Sequence, residues 1–137
     1  MILAAFWAWI GRMNWSKVVY QKSRDFFLWT GLAKHSGRQD FLITKKGGSK
    51  KKLEAYLVKK SYEWSYFSWI DDDETLSMRK VVKSKYQYHI RLFSDGEVRG
   101  HYEYAPDRYP CKHLLESCFE QKKNYFSRLL KDYKKNL

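Results

Sequence analysis

The stretch YQYHIRLFSDGEVRGHYEY, residues 86–104, decides the fold. Two alternating runs flank Ser94-Asp95-Gly96, which predicts a β-hairpin with Gly96 in the left-handed position of a three-residue loop. Pairing across that loop sets Leu92 against Val98, Ile90 against Gly100, Tyr88 against Tyr102 and Tyr86 against Tyr104. One face is then apolar and aromatic, interrupted only by a glycine. The other pairs Arg91 with Arg99, His89 with His101 and Gln87 with Glu103. A two-residue Asp-Gly turn would shift the register by one and set Leu92 against Arg99 and Ile90 against His101. That mixes the faces, so it is rejected.

Downstream, Ala105-Pro106-Asp107-Arg108-Tyr109-Pro110 reads as a rigid loop. Cys111, Leu114, Leu115, Cys118, Phe119, Tyr125, Phe126, Leu129, Leu130 and Tyr133 then recur at i, i+3, i+4 and i+7, which predicts a helix from Pro110 to Lys134. Lys112, Lys122, Lys123, Arg128, Lys131 and Lys135 lie on its outer face. The aromatic face of the hairpin is the natural partner for its apolar stripe.

Upstream, Ser61–Ile70 alternates as a strand, and Asp71-Asp72-Asp73-Glu74 suits the start of a helix reaching Lys80–Lys85, where acids complement the dipole. Metal binding by that acidic run is the weaker reading, because consecutive acids rarely converge on one ion. Residues 40–60 read as a second hairpin, with FLIT (41–44) and LEAYLV (53–58) as strands and KKGGSKKK (45–52) as the connection. Ser16 caps a helix running to Lys34, closed by Gly37; a buried strand over Phe26–Trp29 competes with its middle. Residues 2–10 are entirely apolar yet far short of the roughly 20 residues that span a bilayer. They suit an arm packed on the domain or on a second copy, which makes a homodimer a candidate assembly; an interfacial anchor is the sharper alternative. Neither a signal peptide nor integral membrane association is expected, and Met13 is an alternative start.

These elements define an α+β fold: an antiparallel sheet of about five strands built from hairpins, helices on one face and a long C-terminal amphipathic helix. Residues 1–137 form a single domain, with 1–13 as the apolar arm. Its 44% hydrophobic and 18% aromatic content excludes a disordered chain. Cys111 and Cys118, seven apart in one predicted helix, stand about 10 Å apart along its axis, too far to bond. Reduced thiols fit a cytoplasmic protein, and no Cys/His spacing suits structural zinc.

The net charge of +12, from 27 Lys and Arg against 15 acids, points to a polyanionic partner, nucleic acid before an anionic membrane. The competing account is a lysine-rich surface that serves solubility. Lys45, Lys46, Lys50, Lys51 and Lys52 would contact phosphates from a hairpin tip freed by Gly47 and Gly48; no P-loop motif is present. His89, Arg91, Arg99 and His101 would grip an anion from the paired sheet face, with Arg108 beside them. Removing Arg91 and Arg99 should then leave folding intact. With Glu103, the two histidines also have the composition of a two-His-one-carboxylate metal site. Adjacent Arg91 and Arg99 would repel a cation, so no metal and no cofactor is expected.

Two other classes compete. A nuclease would use His89 and His101 as base and acid, or a carboxylate set around Asp40, Glu54, Asp95 and Glu97 that lacks the usual lysine spacing. An assembly subunit would use its aromatic surface. The balance points to a DNA- or RNA-binding protein rather than an enzyme.

Overall fold

The computed structural model describes residues 22, 25–31, 38, 40–65, 70–109, 112–113 and 121–135. In chain order these form β1 (Phe41–Thr44), α1 (Lys50–Lys59), β2 (Glu63–Trp64), β3 (Glu74–Val82), β4 (Tyr86–Phe93), β5 (Val98–Tyr104) and α2 (Lys123–Lys135). The strands make one five-stranded antiparallel sheet in the order β1-β5-β4-β3-β2.

The β4–β5 register is the one read from the sequence, from Tyr86↔Tyr104 through His89↔His101 and Arg91↔Arg99 to Leu92↔Val98. Gly96 has φ +88° and donates its N–H to Phe93 O at 3.0 Å. That left-handed step is open to glycine without a Cβ penalty, and it closes the three-residue loop.

Three expectations are overturned. The segment after Ser49 is helix α1 rather than the second strand of a hairpin. Leu53, Tyr56 and Leu57 are its buried residues, an i, i+3, i+4 stripe that a helix satisfies and a strand would split between two faces. The lysine segment is therefore a strand-to-helix connection. α1 ends where Ser61 turns left-handed (φ 66°), with Ser61 N–H on Val58 O at 3.0 Å and Tyr62 N–H on Leu57 O at 2.9 Å, a Schellman closure.

The second correction concerns residues 71–85, expected as helix. Glu74–Val82 is strand β3, with Leu76, Ser77, Met78 and Arg79 all buried. Burial on both faces needs an extended chain whose side chains alternate, and Leu76 and Met78 face the core while Ser77 and Arg79 face the polar side. Third, the predicted helix from Pro110 to Lys134 is not continuous: Gln121 and Lys122 are non-helical, Lys122 with a left-handed φ of 46°. Of the expected 61–70 strand, Glu63–Trp64 pairs with β3 and Ser65 N–H donates to Ser77 O at 3.1 Å, while residues 66–69 lie outside the described residues.

Residues 25–29 are helical. The arm over 1–13, most of the predicted 16–34 helix, and Cys111, Leu114, Leu115, Cys118 and Phe119 lie outside the described residues. α2 takes up the predicted C-terminal helix only from Lys123, after that break, and it buries Phe126 and Tyr133.

α1 and α2 pack on the aromatic face of the sheet. Leu53, Tyr56, Leu57, Phe126 and Tyr133 join Leu76, Met78, Ile90, Leu92 and Val98 in one core cluster. Tyr125 stacks on Tyr88 at 3.8 Å between ring centroids. Tyr56 Oη donates to Leu129 O at 2.7 Å, joining the two helices directly.

Candidate functional site

Strand alternation sends Ser77 and Arg79 of β3, Gln87, His89 and Arg91 of β4, and Arg99, His101 and Glu103 of β5 to the face opposite the helices. The sequence reading leaves this face open to an anion. In the structure it is buried: His89, Arg91 and His101 are 4%, 3% and 5% exposed. Buried charge needs partners, and carboxylates supply them.

Arg91 makes a bidentate pair with Asp40, Nη2–Oδ1 2.7 Å and Nε–Oδ2 3.0 Å, and its Nη1 donates to Asp71 at 2.9 Å. Glu74 approaches the same Nη1 at 3.4 Å. Arg99 donates to Glu97 at 2.8 Å and to the carbonyls of Arg38 and Asp40 at 2.7 and 2.9 Å. Arg79 holds Asp107 through two bonds of 2.7 and 3.1 Å and Glu63 through a third of 3.0 Å. At the rim, Arg38 joins Asp73, Asp95 and Glu97. Three of the four acids in the 71–74 run thus serve arginines from other parts of the chain, Asp71 and Glu74 for Arg91 and Asp73 for Arg38.

Between these arginines lies a histidine–carboxylate cluster. His89 Nδ1 is 3.2 Å from His101 Nε2, which is 3.1 Å from Glu103 Oε1. His101 Nδ1 meets Asp40 Oδ2 at 3.0 Å, and His89 Nε2 meets Ser77 Oγ at 2.7 Å. Gln87 Nε2 donates to Glu103 Oε1 at 2.7 Å.

The two imidazoles behave oppositely. Burial pushes His89 down to about 4, with the Glu103 bond opposing and the His101 charge reinforcing the shift. Burial also presses on His101, but the Glu103 and Asp40 carboxylates on its two nitrogens outweigh it and raise His101 to about 9. Burial would lift the Asp40 carboxyl, yet its bonds to His101 and Arg91 hold it well below the usual carboxylate range. Glu103 is held low in the same way, chiefly by His101. At neutral pH the cluster is a charged His101 between two carboxylates beside a neutral His89.

As acid–base chemistry for a nuclease, this pair is turned away from solvent. As a metal ligand set, it answers the objection raised by the arginines, because Arg91 and Arg99 each have their own oxygen partners. Asp40 is the residue whose role the sequence reading missed. The β1–β5 pairing Phe41↔Gly100 brings it beside His101, and nothing in the local pattern announces that long-range pairing.

The other candidate residues are on the surface. Lys45, Lys46, Lys50, Lys51, Lys52 and Arg108 are exposed. Among the described residues none of the five lysines forms an ion pair, and Lys50 Nζ sits 5.6 Å from the Trp64 ring centroid. Ser49 caps α1 without a side-chain hydrogen bond, and the first turn holds no acid. The segment is anchored by Gly47, whose N–H donates to Gly96 O at 2.8 Å and whose carbonyl accepts Tyr133 Oη at 3.1 Å. The second bond ties in the last turn of α2, with exposed Lys134 and Lys135.

Among the described residues no helix is long and apolar enough to cross a membrane. Comparison of the chain with family models, curated proteins and solved structures finds no match.

Proposed function

We propose that the protein binds nucleic acid, DNA or RNA, through the cationic segment Lys45–Lys52. One observation carries the reading: five exposed lysines within eight residues stand at the N-terminus of α1, with no acid in its first turn. The N-terminus is the positive end of the helix dipole, so lysines there weaken the helix. A phosphate placed against them meets free N–H groups, the dipole and ammonium charge together. Lys134 and Lys135 extend the same surface, and exposed Arg108 adds a further cation. His89, Arg91, Arg99 and His101 support the fold from beneath and do not present to phosphate. A cytoplasmic location, as expected from the spacing of Cys111 and Cys118 in the sequence, agrees with this reading.

The test is a salt series of binding titrations with single-stranded and duplex DNA and RNA. Replacing Lys50, Lys51 and Lys52 by Gln should raise the Tm slightly, because cations leave the positive end of the dipole, and reduce the slope of log K against log salt by about 2–3. An unaltered slope, or no binding to any of the four probes at low salt, rejects the reading.

A further inference from the structure

We propose that His89, His101 and Glu103 bind a divalent transition-metal ion, zinc foremost. His89 Nδ1, His101 Nε2 and Glu103 Oε1 form a triangle with edges of 3.2, 3.1 and 3.6 Å. Zinc bonds of about 2.0–2.1 Å in a tetrahedron separate neighbouring ligand atoms by about 3.3–3.4 Å. The triangle is thus one face of a zinc tetrahedron, needing displacements of only a few tenths of an ångström.

Hydrogen bonding alone serves these atoms poorly. Two imidazole nitrogens 3.2 Å apart accommodate one hydrogen between them, and the same His101 Nε2 also faces Glu103 Oε1. A single proton must therefore serve two acceptors. A cation just off the plane of the triangle satisfies all three atoms at once.

The outer partners fit as well. Metal-binding imidazoles usually donate their second nitrogen to an oxygen, which fixes the ring and raises its basicity. His101 Nδ1 lies against Asp40 Oδ2 at 3.0 Å and His89 Nε2 against Ser77 Oγ at 2.7 Å. In the same manner Gln87 Nε2 steadies Glu103 Oε1 at 2.7 Å. Two nitrogens and one oxygen select zinc, cobalt or ferrous iron over magnesium and calcium, which prefer oxygen. A water completes the tetrahedron. The ligand side chains are only 5–10% exposed, so the ion would clamp β4 to β5 rather than receive a substrate.

The test uses the full chain, stripped with a chelator and titrated with Co²⁺ and Zn²⁺. Expected are one equivalent of Co²⁺ with a four-coordinate visible band, its displacement by Zn²⁺, and a Tm that rises with Zn²⁺ but not with Mg²⁺. Separate His89→Gln and Glu103→Gln variants should lose the band. Wild-type protein with no saturable band and no Zn²⁺-dependent Tm shift overturns the proposal. So does a band that persists in folded His89→Gln protein. The wild-type titration decides even where a variant fails to fold.

Discussion

Arg91 and Asp40 form a bidentate ion pair in the interior, with side chains only 4% and 2% exposed. Like charges directly opposite on a sheet are destabilising, yet Arg91 faces Arg99 across β4 and β5. The conflict is removed by partners on a third strand and its approach: Asp40 precedes β1, and the Asp40 carbonyl also accepts from Arg99. The paired arginines are therefore one half of a buried ion-pair lattice.

Breaking that lattice from either side should be costly. Asp40→Asn and Arg91→Ala each leave a buried charge short of its counter-ion and should lose roughly 3–5 kcal/mol in urea unfolding. The double variant should lose much less than the sum, because the second change removes the group that the first had stranded. Strictly additive losses would show that the two residues act independently. The sequence-based expectation that removing Arg91 and Arg99 leaves folding intact is thereby reversed.

Glu74 is the carboxyl that this lattice satisfies least. Burial raises it to about 7 against the 4.5 of a free glutamate, Arg91 opposing, and its Oε1 is buried without a hydrogen-bond partner. A folded-state value above the unfolded one means the folded protein holds the extra proton between pH 4.5 and 7. The Glu74 contribution to stability is thus fully present below about pH 4.5 and is lost as pH rises through about 7. Glu74→Gln removes this dependence. Relative to wild type, the variant should gain on the order of 2–3 kcal/mol between pH 4 and pH 8. Parallel stability–pH curves for the two proteins would contradict it.

The glycine in the aromatic face has a packing cause. A Cβ on Gly100 would lie 2.7 Å from Phe126 Cε1 and 3.0 Å from Ile43 Cδ1. Phe126 is fully buried and cannot swing aside. Gly100→Ala should cost roughly 1–3 kcal/mol through overpacking, read from chemical denaturation. Unchanged stability would mean that α2 shifts on the sheet without penalty.

The central register was legible because two signals coincide there: strict alternation and a loop with one left-handed glycine. α1 was misread although its signal was present, since Leu53, Tyr56 and Leu57 are helically spaced while Leu53, Ala55 and Leu57 also alternate. The lysines beside Gly47 and Gly48 read equally well as a hairpin tip. β3 was hidden more deeply. Asp71 and Glu74 look like a helix start until Arg91 is placed beside them, and that contact spans 17–20 residues. The residue types of the histidine cluster were legible together with their pairing. Its burial and the Asp40 contact were not, because both depend on β1 joining β5, which sets Asp40 beside Arg91 and His101, 51 and 61 residues further along the chain.

The lysines at the start of α1 set stability against binding, and one substitution separates them. Ser49 is the N-cap and Lys52 stands three residues on. Lys52→Glu completes a capping box: the new carboxylate can accept from the Ser49 backbone N–H, and the Ser49 hydroxyl can accept from the N–H of residue 52. It also replaces a cation at the positive end of the dipole by an anion, worth roughly 0.3–1 kcal/mol. Stability should therefore rise by about 0.5–1.5 kcal/mol. Nucleic-acid affinity at low salt should fall beyond what Lys52→Gln produces, because a phosphate now meets repulsion as well as a missing charge. Thermal unfolding and a binding titration on the same samples read both quantities. Higher stability with undiminished binding would remove Lys52 from the interface, and lower stability would show that the helix start is held by something other than its dipole and cap.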